Sequence, residues 1–104
     1  MEKEKFDIIM KAIDDKLGED VKVIDIGEKS TIADKFILVT GTSINHTQAL
    51  VNEIEEKIEK AGYKVLGKEG FREGSWILLD LGDCIIHSFT QDQRSFYNLE
   101  KLWD

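Results

Sequence analysis

The 104-residue sequence contains no proline and a single cysteine, Cys84. One cysteine excludes an internal disulfide framework of the kind that stabilises many small secreted domains. The absence of proline fits one compact unit without an extended linker. We therefore expect a single domain over residues 1–104.

Long apolar runs are also missing. The Met-Glu-Lys-Glu-Lys start lacks the apolar stretch of a signal peptide, and no run reaches the ~18 apolar residues that suggest a transmembrane helix. We expect a soluble, cytoplasmic protein with no membrane partner. Ile, Leu, Val and Phe still make up 32 of the 104 residues, which is enough for a folded core.

Basic residues are fewer than acidic ones, 14 against 21, which gives a net charge of −7. Binding nucleic acid through its phosphates requires a basic surface, so direct, specific nucleic-acid binding is not expected. An acidic protein suits a basic partner instead.

Apolar residues at helical spacing predict a first helix over residues 3–17, with Gly18 as the left-handed residue that ends it. A long second helix is predicted to begin with Ser43 or Asn45 as its N-cap and to stop at Gly62. A last helix should begin at Thr90, in a capping box with Gln93. Phe96, Leu99 and Trp103 fall at i, i+3 and i+7 of this helix and so share one face.

Five short apolar runs predict strands. Residues 36–40 are continuously apolar, which indicates an interior strand covered on both faces. The helix between the second and third strands implies that these two form a parallel pair, while the last two form an antiparallel hairpin. The predicted fold is α/β, a mixed five-stranded sheet flanked by helices, with strands at 21–26, 36–40, 63–66, 76–81 and 84–89.

The candidates for metal binding or thiol chemistry are Cys84, His87 and His46. Cys84 and His87 lie three apart on a predicted strand, so they point to opposite faces. The apolar neighbours of Cys84 should raise the pKa of its thiol, which disfavours a nucleophile. We therefore predict no metal site and no catalytic residue.

Gly41-Thr42-Ser43 joins a strand to a helix, where backbone N–H groups can hold phosphate. Nucleotidyl transfer also needs carboxylates close enough to share metal ions. Glu53 and Glu55 lie two apart on a helix and diverge by roughly 200°. A small nucleotidyltransferase-like enzyme or nucleotide-binding domain is kept as the alternative hypothesis.

Trp76, Leu78 and Asp80 alternate along a predicted strand and so share one face. An exposed indole and leucine beside an acid would form a protein-binding site with Trp76 as its anchor. The alternative is that a helix covers this face and Trp76 belongs to the core. A third hypothesis is an adaptor or toxin–antitoxin partner that pairs through the hairpin edge.

Motifs along nearly the whole chain together resemble one family. The resemblance is to the ribosomal silencing factor family (RsfS, Iojap-like). The motifs are Ser30-Thr31-Ile32-Ala33-Asp34, Thr40-Gly41-Thr42-Ser43 with His46, Glu69-Gly70, Trp76-Ile77-Leu78-Leu79-Asp80-Leu81-Gly82-Asp83, His87 with Phe89, and Phe96-Tyr97-Asn98-Leu99-Glu100-Lys101-Leu102-Trp103. The last of them, which follows the apolar strand with His87, is the most specific.

The resemblance implies a fold related to nucleotidyltransferases but without their catalytic carboxylates. It implies a protein that is not an enzyme and needs no cofactor. Members of the family bind the fourteenth protein of the large ribosomal subunit, beside the surface where the small subunit docks. They block subunit joining sterically and so repress translation when nutrients are scarce.

The resemblance assigns Trp76, at the position of the family's tryptophan, as the anchor of the partner-binding site, with Leu78 as its apolar neighbour. Our own pattern argument makes Asp80 and Glu69 the candidates to meet basic side chains. Tyr97 is a further candidate, and a structural role for it is the alternative. The same apolar face would also allow a homodimer, which would compete with ribosome binding.

Two positions depart from the family's pattern. Asn98 stands where many relatives carry an acid, and Cys84 stands where an aliphatic residue is usual. The first puts an ion pair at that position in doubt, and the second points to packing.

Overall fold

A computed structural model of the chain describes residues 1–28, 31 and 33–103. None of the helices in these residues is long and apolar enough to cross a membrane. The elements are α1 (Lys3–Asp15), β1 (Glu19–Asp25), β2 (Lys35–Gly41), α2 (Ile44–Lys60), β3 (Gly67–Glu69), β4 (Trp76–Asp80), β5 (Cys84–Thr90), α3 (Gln91–Tyr97) and α4 (Leu99–Trp103).

The five strands form one mixed sheet in the order β1-β2-β5-β4-β3, which confirms the predicted fold class. Among the described strands, β2 and β5 pair in parallel and the other three pairs are antiparallel. The predicted direct pairing of β2 with β3 is wrong. Six of the seven residues of β5 are buried, so it fits beside β2, whereas β3 is short, largely exposed and lies at the edge.

Helices α1 and α2 pack together on one face of the sheet. Strand β2, buried from Phe36 to Gly41, is the interior strand that its apolar run predicts. The side chains between the helices and the sheet form the main core. They are Ile9, Ala12, Ile13, Ile37, Val39, Leu50, Val51, Ile54, Ile58, Ile77, Leu79, Leu81, Cys84 and Ile86.

Helix α1 ends two residues earlier than predicted, and Gly18 is not its left-handed residue. Leu17 takes that conformation, with φ of 58°. The Gly18 N–H bonds to the Ile13 carbonyl at 2.9 Å, which closes a Schellman motif. Gly18 is required for a different reason, since a Cβ there would lie 2.5 Å from Cγ2 of Val39.

Helix α2 begins and ends as the sequence predicts. The Ser43 hydroxyl accepts a hydrogen bond from the His46 N–H at 3.1 Å, so Ser43 is the N-cap. Gly62 follows the last turn with φ of 93°, a conformation that glycine adopts without strain.

The predicted third strand at 63–66 is wrong. The Tyr63 N–H bonds to the Ile58 carbonyl and so completes the end of α2. Leu66 is the first residue of this stretch to bond to β4, through its N–H to the Asp80 carbonyl at 2.8 Å. The strand therefore starts later, at Gly67.

The predicted last helix is interrupted at Asn98, whose φ of 48° separates α3 from α4. Thr90 is the N-cap, but the capping box is wrong because the Thr90 N–H bonds to the Ser75 carbonyl at 3.0 Å. Phe96, the first residue of the predicted face, is 80% exposed. The Trp103 side chain, also on that face, lies outside what the structure describes.

Candidate functional site

The sheet face away from α1 and α2, which we call the open face, carries Trp76, Leu78 and Asp80 of β4. The burial of β4 alternates as predicted, with Ile77 and Leu79 buried on the helical side. Leu78 lies opposite Glu69 of β3 and His87 of β5. Directly opposed residues share a face, so one row of side chains crosses the sheet from Glu69 to His87.

Part of the open face is covered by the chain itself. A second apolar cluster lies there, and Trp76, Leu78 and Leu99 pack against it. Trp76 and Leu78 are half-buried. Part of the Trp76 side chain is therefore covered by its own chain, as in a core residue, and part is exposed, as in an uncovered indole. The buried members of the cluster are Ile24, Ile26, Ala33, Phe36, Leu38, Ile85 and Phe89.

The indole of Trp76 contacts three aromatic side chains of the same chain. Its Nε1–H donates a hydrogen bond to Nδ1 of His87 at 3.1 Å. The centroid of the Tyr97 ring lies 4.7 Å from that of the indole, and the centroid of the Phe89 ring lies 5.8 Å from it. The last helices thus bring Tyr97 to Trp76, 21 positions earlier in the sequence.

His87 is 4% exposed, and burial lowers the pKa of its imidazole to about 4. The ring is therefore neutral at neutral pH. Since Nδ1 accepts the indole hydrogen bond, we assign the proton to Nε2. Nε2 is buried and has no hydrogen-bond partner among the described residues. The imidazole lies edge-on to Phe36 at 4.7 Å.

The two candidate acids differ in their surroundings. Glu69 is exposed at the edge strand. Asp80 is half-buried, and its Oδ1 accepts the Gly82 N–H at 2.8 Å, so it also shapes the β4–β5 turn. The five residues singled out from the sequence, Trp76, Leu78, Asp80, Glu69 and Tyr97, lie around one region of the open face.

Comparison with known proteins confirms the resemblance seen in the motifs. The family described as "Ribosomal silencing factor during starvation" matches residues 1–104. This chain belongs to the ribosomal silencing factor family. The Bacillus subtilis ribosomal silencing factor RsfS is 45% identical over 92 residues, which cover 88% of this chain and 78% of that protein.

Two further comparisons extend the family assignment. A crystal structure of a Chromobacterium violaceum protein matches with a TM-score of 0.95 and 32% identity, and covers 99% of this chain and 87% of that one. The chloroplastic protein Iojap of Arabidopsis thaliana is 33% identical over 95 residues, or 91% of this chain and 40% of that protein.

In this family member, the three candidate metal ligands have different surroundings. They are Cys84, His87 and His46. Cys84 is buried on the helical side, and burial raises the pKa of its thiol to about 12. The His46 ring accepts the Thr42 N–H at 2.8 Å and donates to the Lys16 carbonyl at 2.6 Å. Within residues 1–28, 31 and 33–103, no group of three or more His, Cys, Asp or Glu side chains is placed to hold a metal ion.

The residues of the nucleotide hypothesis have other partners. Glu53 pairs with Lys57 at 3.8 Å, and Glu55 pairs with Lys68 at 2.9 Å. At the start of α2, Ser43 is the N-cap and the Thr42 N–H is bonded to His46. The two carboxylates and the Thr42 N–H thus bond to groups within the chain.

Sequence reasoning missed the role of His87 as the hydrogen-bond partner of Trp76. It also did not single out Phe96 and Leu102 as exposed apolar residues, although they are 80% and 73% exposed. The adjacent pair Phe96-Tyr97 was an available signal, since neighbouring aromatic residues cannot both lie on one narrow helical stripe.

Proposed function

We propose that this protein is a non-enzymatic translation repressor that binds the large ribosomal subunit through its fourteenth ribosomal protein. Bound there, it blocks joining of the small subunit by occupying the space. One observation carries the proposal: Trp76 lies half-buried and oriented on the sheet face that α1 and α2 leave open.

The chemistry of the open face fits such a partner. Tryptophan is among the residues that contribute most to protein interfaces, above all when the neighbouring groups hold it in place. Leu78 extends the apolar surface, Tyr97 borders it, and Glu69 and Asp80 supply negative charge for basic side chains. The net charge of −7 favours encounter with a basic ribosomal protein.

Repression by this route requires no chemical step. The Cα atoms extend over 32 × 30 × 21 Å, a volume that the docking small subunit cannot share. The relation to nucleotidyltransferase folds, without their catalytic carboxylates, is part of the same proposal. Glu53 and Glu55 pair separately with Lys57 and Lys68, which fits the expectation that they do not form a shared metal site.

Co-sedimentation with purified large subunits tests the binding step. The unaltered protein should co-sediment, and Trp76→Ala should weaken binding by at least about 2 kcal/mol, or about thirtyfold. Trp76→Phe should fall between the two, since it keeps a ring but loses the N–H. Leu17→Ala is the matched control, because Leu17 is 77% exposed at the end of α1. Equal binding by the protein and Trp76→Ala would refute the proposal.

A subunit-joining assay tests the blocking step. Protein added to large subunits before small subunits should lower the monosome peak in a sucrose gradient, and Trp76→Ala should restore it. Binding without loss of monosomes would refute steric blocking. Saturable nucleotide and magnesium binding that Glu53→Gln or Glu55→Gln abolishes would favour the enzyme hypothesis instead.

A further inference from the structure

Three apolar side chains of the last two helices are exposed. Phe96, Tyr97 and Leu102 are 80%, 51% and 73% exposed, and we call them the C-terminal patch. Single exposed apolar residues are common, but contiguous ones indicate an interaction surface.

The C-terminal patch is contiguous both within itself and with the open face. The Phe96 and Tyr97 rings lie 5.0 Å apart, edge to face. Tyr97 and Leu102 line the same shallow hollow together with Asn98 and Lys101. Tyr97 also lies against Trp76, at 4.7 Å. Tyr97 therefore connects Trp76 to Phe96 through ring contacts and to Leu102 through the hollow that they share.

The patch rests on a fixed support. Arg94 of α3 is 7% exposed, and its guanidinium donates to the Thr40 hydroxyl at 2.8 Å and to the Asp20 carbonyl. The same guanidinium pairs with Glu100 of α4 and so joins the two helices. Leu99 packs into the second cluster. These contacts tie α3 and α4 to the sheet and leave Phe96 and Leu102 facing outward.

We infer that the C-terminal patch is the second half of the partner-binding surface. Phe96 and Leu102 contact an apolar area of the same large-subunit protein that receives Trp76. This inference rests on the proposed function. Glu69 lies opposite Leu78, and Asp80 lies two residues beyond Leu78 on the same face of β4. A partner with an apolar centre and a basic border on that side matches both halves of the surface.

Binding of the double variant Phe96→Ser/Leu102→Ser to purified large subunits tests the inference. We expect the double variant to bind about tenfold more weakly, because it lacks two apolar side chains whose burial on docking stabilises the complex. Leu17→Ser is the matched control, since Leu17 is 77% exposed and lies in the helical layer, and it should bind within about twofold of the unaltered protein. Urea unfolding of all three proteins confirms equal stability.

Each other outcome counts against the inference. If the double variant binds as tightly as the unaltered protein while Trp76→Ala does not, the patch lies outside the interface and only this inference fails. If the unaltered protein does not bind large subunits at all, the proposed function fails with it. If sedimentation of the protein alone shows a dimer that only the double variant dissociates, and subunit binding is unchanged, the patch joins two copies of the chain.

Discussion

The indole N–H of Trp76 donates a hydrogen bond to Nδ1 of His87, 3.1 Å away on the neighbouring strand. His87 is buried, whereas Trp76 is only half-buried. A core side chain therefore orients the residue that we assign as the anchor. An imidazolium has no free lone pair, so only the neutral ring can accept this bond.

The His87→Phe variant tests the orienting role of the imidazole. Phenylalanine fills a similar space but accepts no hydrogen bond from the indole. In a Trp103→Phe background, which leaves Trp76 as the only indole, we expect the Nε1–H signal in an NMR spectrum to move toward that of a water-exposed indole. Large-subunit binding should weaken severalfold, and less than in Trp76→Ala. An unchanged indole signal would contradict the role.

The burial of His87 predicts that stability falls in mild acid. Burial lowers its pKa from 6.5 to about 4, so the unfolded chain binds more protons between these values. The free energy of unfolding should therefore fall as the pH drops through this range, by about 2 kcal/mol between about pH 7 and about pH 5. Urea unfolding at both pH values measures it.

The control for this pH dependence is again His87→Phe, because it removes the titrating group. Between about pH 7 and about pH 5, the free energy of unfolding of His87→Phe should fall by about 2 kcal/mol less than that of the unaltered protein. The fall that remains comes from the other titrating groups. An equal loss in both proteins would show that His87 does not carry the effect.

Leu17 and Gly18, which follow the C-cap of α1, should respond in opposite ways to substitution. Gly18→Ala should destabilise the protein by about 1–3 kcal/mol, because the added methyl group overlaps Val39 and Ile13. Leu17→Gly should stabilise it by up to about 1 kcal/mol, because φ at Leu17 is 58° and its side chain is mostly exposed. Thermal unfolding measures both, and the reverse order would refute the assignment of the Schellman motif.

Lys5 ties α1 to the turn between β4 and β5. Its buried Nζ donates to the Leu81 carbonyl and to Asp83, each at 2.8 Å. Lys5→Met should destabilise the protein by about 2 kcal/mol, because it leaves two oxygens without their donor; the partial exposure of Asp83 limits the cost. In the control Lys11→Met, the exposed pair with Asp15 is lost, and the change should stay below about 0.5 kcal/mol. Similar losses for both would contradict this reading.

The sequence alone determined the fold class and the two faces of β4. Alternation at Trp76, Ile77 and Leu78 follows from the two-residue repeat of a strand, which no neighbour has to supply. The Ser43 cap and the Gly62 stop are equally local. The family motifs also include both Trp76 and Tyr97.

Only the tertiary structure decided which strands pair and how far Trp76 is covered. The place of β5 beside β2 depends on burial within the whole sheet, and β3 is displaced to the edge by the same competition. The Thr90 N–H prefers the Ser75 carbonyl to the Gln93 side chain because β4 brings that carbonyl near. Contacts such as Trp76 with His87 and Tyr97 join residues distant in sequence, so their energies have no local signature.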